Sequence, residues 1–239
     1  MNEIPHVIHY CWFGKKPLPE QYKKYIETWK KNFPDYKVIK WDETSFPIDQ
    51  YSYAKEAMQA GKMAFVSDVA RIHVLYEFGG IYFDTDVEVV KNFSELLKGY
   101  GAVLGTEDER KTIGTGFMAF VPKHEICSKM LDYYKSNRFA EQGRIMSNTQ
   151  ILACLVRENY GIEPLENIQK FNDVVIYPSR YFTAYNGAKR RIEVTNDTCC
   201  IHHFGASWQT PIRRLKDKIK GAHNRIEDAI HETISKPRI

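Results

Sequence analysis

Apolar residues recur along the chain with two different periods, which predict strands alternating with helices. Short aromatic and β-branched runs indicate strands, whereas apolar positions three or four residues apart indicate helices. The predicted strands are 6–13, 36–42, 81–90, 100–107, 115–121, 174–178 and 199–204. The predicted helices are 18–33, 64–78, 123–135 and 147–159. This alternation predicts an α/β fold in which helices flank a largely parallel central sheet.

The chain is predicted to contain one α/β domain, residues 1–209, followed by a basic amphipathic helix at 210–239. Thr210 is a suitable N-cap, and Pro211 suits the first helical position. The last segment holds eight Lys or Arg and four acids, and its apolar residues recur every three or four positions. Three roles stay open for it: packing on the domain, dimerisation, or peripheral contact with an anionic membrane surface.

Charge and cysteine content exclude some classes of protein. The net charge is +4 over 239 residues, and all of it comes from the last segment. The balanced remainder argues against a nucleic-acid partner. Five scattered cysteines do not form a disulfide framework, and the N-terminus shows no signal-peptide pattern. We therefore expect a cytoplasmic protein, with the inner membrane face as a second location.

The stretch "GGIYFDTDVEVV" (79–90) carries two acids, Asp84 and Asp86, inside a predicted strand. Residues two apart in a strand face the same side, so the carboxylates would repel each other. A divalent cation shared with a phosphate would relieve that repulsion, and oxygen ligands favour Mg²⁺ or Mn²⁺ over zinc. From the bare motif, two solvated carboxylates at a strand end remain the alternative.

The helix before this strand carries a second polar group. Asp68 and Arg71 are three residues apart and Ser67 and Arg71 four apart, so the three share one helix face. The rest of this helix is mostly apolar. The spacing alone is compatible with a buried structural ion pair and with the polar wall of a site.

Two further stretches contain candidate ligands. In "IHHFGASW" (201–208), His202 and His203 point to opposite faces of a strand, so only one readily reaches a given site. A neutral imidazole can ligate Mn²⁺, although a lone histidine is more often structural. Trp12, in "HYCWFG" (9–14), ends the first predicted strand, where it would either stack on a nucleobase or join the core.

Taken together, "IPHVIHYCWFG", "FVSDVARIHVLYEFGGIYFDTDVEV" and "IHHFGASW" resemble the glycosyltransferases with the DXD sugar-binding region, family 32. That family includes bacterial capsule and lipopolysaccharide transferases and relatives of a yeast α-1,6-mannosyltransferase. The catalytic domain of the clostridial glucosylating toxins is similar in the same region. The resemblance extends from Ile4 to Trp208, and it implies a GT-A fold and a retaining transferase.

The resemblance also implies a role for individual residues. Asp84 would contact the ribose and the sugar hydroxyls of the donor, and Asp86 would ligate Mn²⁺ or Mg²⁺. The polar helix face of Ser67, Asp68 and Arg71 would bind the donor sugar. Other implied contacts are the base with Trp12 and the Cys11 backbone, and the phosphates with Ser207 and Trp208.

The resemblance leaves the remaining metal ligand open between two histidines. His203 is preferred because it stands five residues before Trp208, the spacing of a metal-binding acid in the related toxins. His202 is the rival, because its distance from Gly205 better matches the histidine of glycogenin-like enzymes. Asn148 and Gln150 match a donor-side helix only weakly.

We therefore expect transfer of a sugar from a nucleotide-diphosphate sugar to an oligosaccharide or lipid-linked saccharide. UDP-hexose is favoured as donor and GDP-mannose stays open, and capsule, exopolysaccharide or lipopolysaccharide synthesis is the expected setting. The loop-like stretches 107–116 and 186–191 are the candidate acceptor regions. The alternatives are a nucleotide-sugar-binding protein of the same fold without transfer activity, and a metal-dependent phosphohydrolase.

Overall fold

A central sheet organises the computed structural model, which describes residues 3–108, 112–139, 146–161, 166–187, 189 and 191–205. The strands are β1 (Val7–Cys11), β2 (Lys37–Trp41), β3 (Gly80–Phe83), β4 (Val87–Val89), β5 (Ala102–Thr106), β6 (Ile113–Phe120), β7 (Gln169–Lys170), β8 (Val174–Tyr177), β9 (Tyr185–Asn186), β10 (Arg191–Ile192) and β11 (Cys200–His202). The α-helices are α1 (Glu20–Asn32), α2 (Ser52–Gln59), α3 (Met63–Phe78), α4 (Glu125–Ser136), α5 (Asn148–Tyr160) and α6 (Ser179–Phe182). The four helices predicted between residues 18 and 159 are present, whereas α2 and α6 were not predicted.

The central sheet has the strand order β2-β1-β3-β6-β5-β8-β7. Its parallel pairs are β1 with β2, β1 with β3, and β5 with β8. Strand β6 runs antiparallel to both β3 and β5, so its start lies beside the carboxyl ends of those two strands. Two small sheets pair β9 with β10 and β4 with β11. The predicted α/β fold is therefore confirmed.

Helices cover both faces of the central sheet. Helix α3 packs on one face and is buried through most of its length, including Ile72 and Leu75. Helix α1 packs on the other face through Ile26, Trp29 and Phe33, which are at most 6% exposed. The predicted apolar stripe of the first helix is thus its core-facing side, as amphipathic helix packing requires.

The predicted single strand 81–90 is wrong, because the chain turns in its middle. Strand β3 ends at Phe83, and β4 begins at Val87 in a different sheet. The Val87 amide donates to the Asp84 carbonyl at 3.0 Å, which closes the turn that carries Asp84 and Asp86. The alternating apolar pattern continues through both strands, so it does not reveal the turn between them.

The junction between α3 and β3 needs two glycines. Gly79 and Gly80 both have a left-handed backbone, with φ of +63° and +94°. A Cβ atom on Gly80 would lie 2.5 Å from the Val7 carbonyl oxygen of β1, closer than real side chains approach. Buried His9 fastens the junction, since Trp41 Nε1 donates to its Nδ1 at 3.0 Å and its Nε2 donates to the Gly79 carbonyl at 2.9 Å. The predicted helix end at residue 78 is confirmed, and the two glycines explain why the helix stops there.

The five cysteines are free, in agreement with the predicted absence of a disulfide framework. No helix in the described part of the chain is long and apolar enough to cross a membrane. The predicted domain boundary at 209 and the predicted helix at 210–239 lie outside the described residues.

Candidate functional site

The turn after β3 holds the two acids at the edge of the sheet where β1 and β3 end. Strand β11 pairs with β4 in the register His202↔Val87, which brings His202 beside this turn. His202 Nε2 lies 3.2 Å from Asp86 Oδ1, and these side chains are only 11% and 14% exposed. The pairing of β4 with β11 therefore brings His202 next to the two acids.

Asp84, Asp86 and His202 form a group suited to a metal ion. One candidate ligand atom from each residue lies within 4.8 Å of the others, and no second such group occurs in the described residues. Two carboxylate oxygens and one imidazole nitrogen are a donor set that Mn²⁺ accepts, and oxygen ligands also suit Mg²⁺. Three protein ligands leave coordination positions for phosphate oxygens. The residues present therefore fit a divalent cation.

His203, the histidine preferred from the sequence, points elsewhere. Its Nε2 lies 2.9 Å from Glu88 Oε2, and its ring stacks on Tyr25 with centroids 4.5 Å apart. The prediction that the adjacent histidines face opposite ways matches this arrangement. The spacing to Trp208 does not show which of the two faces the acids, and this geometry makes His202 our candidate ligand instead of His203.

Arg71 links the α3 side of the site to the acidic turn. Its guanidinium lies 3.2 Å from Asp68 Oδ1 and 3.2 Å from Asp84 Oδ1, with a side chain only 8% exposed. It also donates to the Thr115 carbonyl at 2.8 Å. The helix-face group expected from the spacing is thus a buried ion-pair network that reaches Asp84. Breaking such a network is costly, because a charge would stay buried without its partner.

Two residues of this network were not among the candidates from the sequence. The Tyr82 hydroxyl donates to Asp84 Oδ1 at 3.1 Å, and the Arg71 guanidinium lies over the Tyr82 ring at 4.8 Å. Thr115 supplies a carbonyl and a hydroxyl to Arg71. Tyr82 lies two positions before Asp84, and this spacing in a strand could have predicted their contact. The contact of Thr115 with Arg71 depends on the fold and has no signal in the local sequence.

Burial and charge change the pKa values of the site. Burial raises the pKa of Asp68 to about 6, although the neighbouring Arg71 charge lowers it. Burial lowers the pKa of His202. The hydrogen bond to Asp86 and the charges of Asp86 and Asp84 raise it by more, so the pKa lies above its ordinary value. The Asp84, Asp86 and His202 group therefore carries excess negative charge that attracts a cation.

Cys11, Trp12 and Ser67 are further candidates from the sequence that the structure describes. Burial raises the pKa of the Cys11 thiol to about 12, and the charges of Arg71 and Asp84 also act on it, so the thiol adjoins the network. Trp12, half-buried just past β1, donates its Nε1 hydrogen to the Lys16 carbonyl at 2.8 Å. The Ser67 hydroxyl donates back to the Met63 carbonyl of its own helix at 3.2 Å.

The weaker donor-side candidates have structural partners. Asn148, 2% exposed at the start of α5, donates to the Asp68 carbonyl at 3.3 Å and accepts from the Tyr134 hydroxyl at 3.1 Å. Gln150 forms the capping box of α5 with Ser147. Asn148 therefore borders the Asp68 region, whereas the Gln150 side chain caps a helix. Ser207 and Trp208 lie outside the described residues.

Gly116 leaves room for Asp84, Asp86 and His202, which are called the metal group below. Its carbonyl accepts from the Asp84 amide at 2.8 Å. A Cβ atom at this position would lie 2.8 Å from His202 Cε1 and 3.2 Å from Asp84 Oδ2. Only glycine lets β6 pass this close to both side chains.

Comparison with known families bears out the resemblance seen in the sequence. Residues 19–103 match the family described as "Glycosyltransferase sugar-binding region containing DXD motif". The matched region includes the helix-face group, the glycine junction and both acids of the turn. It ends before β6 and β11.

Two curated relatives match about half of this chain. Lactosylceramide 4-alpha-galactosyltransferase of Mus musculus is 29% identical over 136 residues, which cover 55% of this chain and 35% of that enzyme. Inositol phosphoceramide mannosyltransferase 1 of Schizosaccharomyces pombe is 28% identical over 131 residues, covering 52% and 40%. The chain thus spans well under half the length of these curated relatives.

A solved structure shares the fold. The PaToxG glycosyltransferase superposes with a TM-score of 0.57 at 20% sequence identity, covering 66% of this chain and 70% of that chain. The predicted GT-A fold is confirmed by this likeness.

Proposed function

We propose that this chain, whose residues 19–103 match the DXD-containing sugar-binding region of glycosyltransferases, is a metal-dependent retaining glycosyltransferase that uses a nucleotide-diphosphate sugar. The observation that supports this best is the group of Asp84, Asp86 and His202 next to the Arg71 network. Ligands of open α/β sheets bind at the carboxyl ends of the strands, and this group lies there.

Asp86 and His202, with Asp84, would hold Mn²⁺ or Mg²⁺. A divalent cation bound there acts as a Lewis acid, stabilising the negative charge that develops on the leaving diphosphate. Asp84 is held for this task by three neighbours: the Tyr82 hydroxyl, the Arg71 guanidinium and the Gly116 carbonyl. Such fixed partners let the site meet the developing charge without reorganising.

The donor is proposed to lie across the ends of neighbouring strands. Trp12, at the end of β1, would stack on the base, and the Cys11 backbone would read its edge. Asp68, Arg71 and Asp84 would bind hydroxyls of the sugar and ribose, with Ser67 on the same helix face. Ser207 and Trp208 would contact the phosphates. UDP-hexose is the favoured donor, with GDP-mannose as the second choice.

We infer transfer with retention on the same face of the sugar. The bond between the anomeric carbon and the β-phosphate oxygen breaks, and its electron pair stays on the phosphate. The acceptor oxygen bonds to the anomeric carbon, and its proton passes to the leaving phosphate. Arg71, positively charged and buried, stands beside the acids and orients sugar or phosphate oxygens. A trapped covalent glycosyl-enzyme adduct would contradict this pathway.

The acceptor is proposed to be an oligosaccharide or a lipid-linked saccharide. The names of both curated relatives specify ceramide-based lipids as acceptors, which supports a lipid-linked acceptor here. Synthesis of capsule, exopolysaccharide or lipopolysaccharide at the cytoplasmic membrane face is the setting we propose.

A panel of UDP- and GDP-hexoses tests this function, each incubated with the protein and Mn²⁺. Released nucleotide diphosphate together with free or transferred hexose is the expected result for at least one donor. Tight donor binding without turnover would instead indicate a nucleotide-sugar-binding protein. Release of UMP or GMP together with hexose 1-phosphate would indicate a phosphohydrolase.

A further inference from the structure

Glu107 is a half-buried carboxylate that the proposed chemistry leaves without a role. It directly follows β5, and its backbone amide donates to the Thr112 carbonyl at 2.9 Å. Within the described part of the chain, its carboxylate has neither a hydrogen-bond donor nor an ion-pair partner. It is also absent from the metal-ligand group. A half-buried carboxylate without a partner is available to bind something else.

The strand order puts Glu107 beyond the metal group, on the side away from Trp12. Along one edge of the sheet follow the end of β1, the end of β3, the start of β6 and the end of β5. Trp12, the acidic turn and Glu107 are thus arranged in that order. Neighbouring strands are ~4.8 Å apart, so the ends of β3 and β5 are separated by about 10 Å. A base, a diphosphate and a hexose follow one another in the same order in a nucleotide sugar.

The backbone between Glu107 and the metal group carries two glycines. A Cβ atom on Gly114 would lie 3.1 Å from Glu107 Cγ, and one on Gly116 would lie 2.8 Å from His202 Cε1. The absence of Cβ atoms at both places therefore lets the Glu107 and His202 side chains lie close to the backbone of β6, two residues apart along the same strand. Glycines in strands commonly mark positions where a ligand approaches the backbone closely.

Electrostatic coupling agrees with this placement. Burial raises the pKa of Glu107, the charge of His202 lowers it, and the charge of Asp84 raises it. The Arg71 charge also acts on it and lowers it. Glu107 is therefore close enough for the charges of His202, Asp84 and Arg71 to change its pKa, although it does not contact these residues.

We propose that Glu107 determines sugar specificity by accepting hydrogen bonds from hydroxyl groups of the donor hexose, which lies between Glu107 and the group of Asp84, Asp86 and His202. This inference rests on the proposed function. It assigns the region after β5, which the sequence placed on the acceptor side, to the donor sugar. Glu107 would contact the hexose from the side opposite to Trp12.

Binding of nucleotides with and without the sugar tests this role. Isothermal titration with Mn²⁺ compares UDP and GDP with UDP-galactose, UDP-glucose and GDP-mannose. The variants are Glu107→Ala and the nearly isosteric Glu107→Gln, with Glu158→Gln on the exposed surface of α5 as the matched control. Thermal unfolding of each variant establishes that it is folded.

The expected result is a selective loss of affinity for the nucleotide sugar. Glu107→Ala weakens the nucleotide hexose about tenfold or more, because a hydrogen bond to a charged acceptor is lost, while binding of UDP or GDP is unchanged. Glu107→Gln shows a smaller loss in the same direction, and Glu158→Gln shows none. Equal changes for nucleotide and nucleotide hexose, or no change for either, would overturn the inference. If the wild type binds none of these compounds, the proposed function fails, and the inference with it.

Discussion

Arg71 connects three parts of the candidate site through one buried charged side chain. It is almost completely buried, yet it contacts Asp68 on its own helix, Asp84 in the acidic turn and Thr115 at the start of β6. Burial alone would lower the pKa of this guanidinium, but the surrounding negative charges raise it above its usual range. The arginine therefore stays charged and links α3, the acidic turn and β6 next to the group of Asp84, Asp86 and His202.

Gly116 is the residue where the smallest change should have a large local effect. Gly116→Ala adds one methyl group against His202 and Asp84, and its backbone is outside the left-handed region, so the strain falls on those side chains. We expect Mn²⁺ affinity to fall at least tenfold, as displaced ligand geometry usually costs that much. Isothermal titration with Mn²⁺ measures this change.

Gly61→Ala is the control for general destabilisation. Gly61 has φ of +70° and open space around its Cβ position, so alanine there strains the backbone without crowding the site. It should lower the free energy of unfolding by about 1 kcal/mol and leave Mn²⁺ affinity intact. If Gly116→Ala binds Mn²⁺ as tightly as the wild type, His202 is not a ligand.

At the scale of elements, the pairing of β4 with β11 completes the metal group. The acidic turn belongs to the region that matches the sugar-binding family, whereas His202 comes more than a hundred residues later. The small sheet is what brings a distant histidine next to Asp86. A shift of one residue in this pairing would present His203 instead, since neighbouring side chains in a strand alternate.

The junction between α3 and β3 depends on a neutral histidine, which makes stability sensitive to pH. Burial lowers the pKa of His9 to about 4 from the ordinary 6.5. Its Nδ1 accepts from Trp41, so the folded state needs the neutral ring, while the unfolded chain takes up a proton near pH 6.5. The stabilisation is therefore complete above pH 6.5 and is lost progressively as the pH falls towards 4.

Replacing this histidine should remove that part of the pH dependence. Between pH 7 and pH 5, the unfolding free energy of the wild type should fall by about 2 kcal/mol more than that of His9→Gln. Urea unfolding at the two pH values measures the difference, and the other titrating groups are common to both proteins. Parallel losses in the two proteins would show that His9 is protonated at little cost in the folded state.

The sequence predicted the elements well where apolar periodicity is the deciding signal. All four predicted helices are present, because each buries one apolar face. The turn at Asp84 and Asp86 was missed, because apolar residues alternate on both sides of it. Which of His202 and His203 faces the two acids depends on the register of β4 with β11. Such a register between distant segments cannot be predicted from the spacing of nearby residues.

At the scale of the whole molecule, residues 210–239 add a separate prediction from the sequence. If this basic segment contacts an anionic membrane surface, the full chain should sediment with phosphatidylglycerol vesicles and not with phosphatidylcholine vesicles. Replacing Arg213, Arg214, Lys216 and Lys220 by Glu should abolish this binding while donor turnover remains.

Two other results would exclude the membrane role. Unchanged vesicle binding after the four charge reversals would show that the basic face is not the contact. A fall in molecular mass from that of a dimer to that of a monomer after the four charge reversals, measured by analytical ultracentrifugation, would indicate that the segment mediates dimerisation instead.

Metal-dependent turnover of a nucleotide sugar tests the central claim most directly, with wild type and Asp86→Ala compared in the presence of Mn²⁺. Asp86 is one of the three candidate ligands, and its side chain is largely buried, so its loss removes one carboxylate from the proposed metal site. We expect the wild type to release nucleotide diphosphate from at least one hexose donor and Asp86→Ala to be slower by about a hundredfold or more. Equal rates for the two proteins, or wild-type turnover that persists in excess EDTA, would contradict the account.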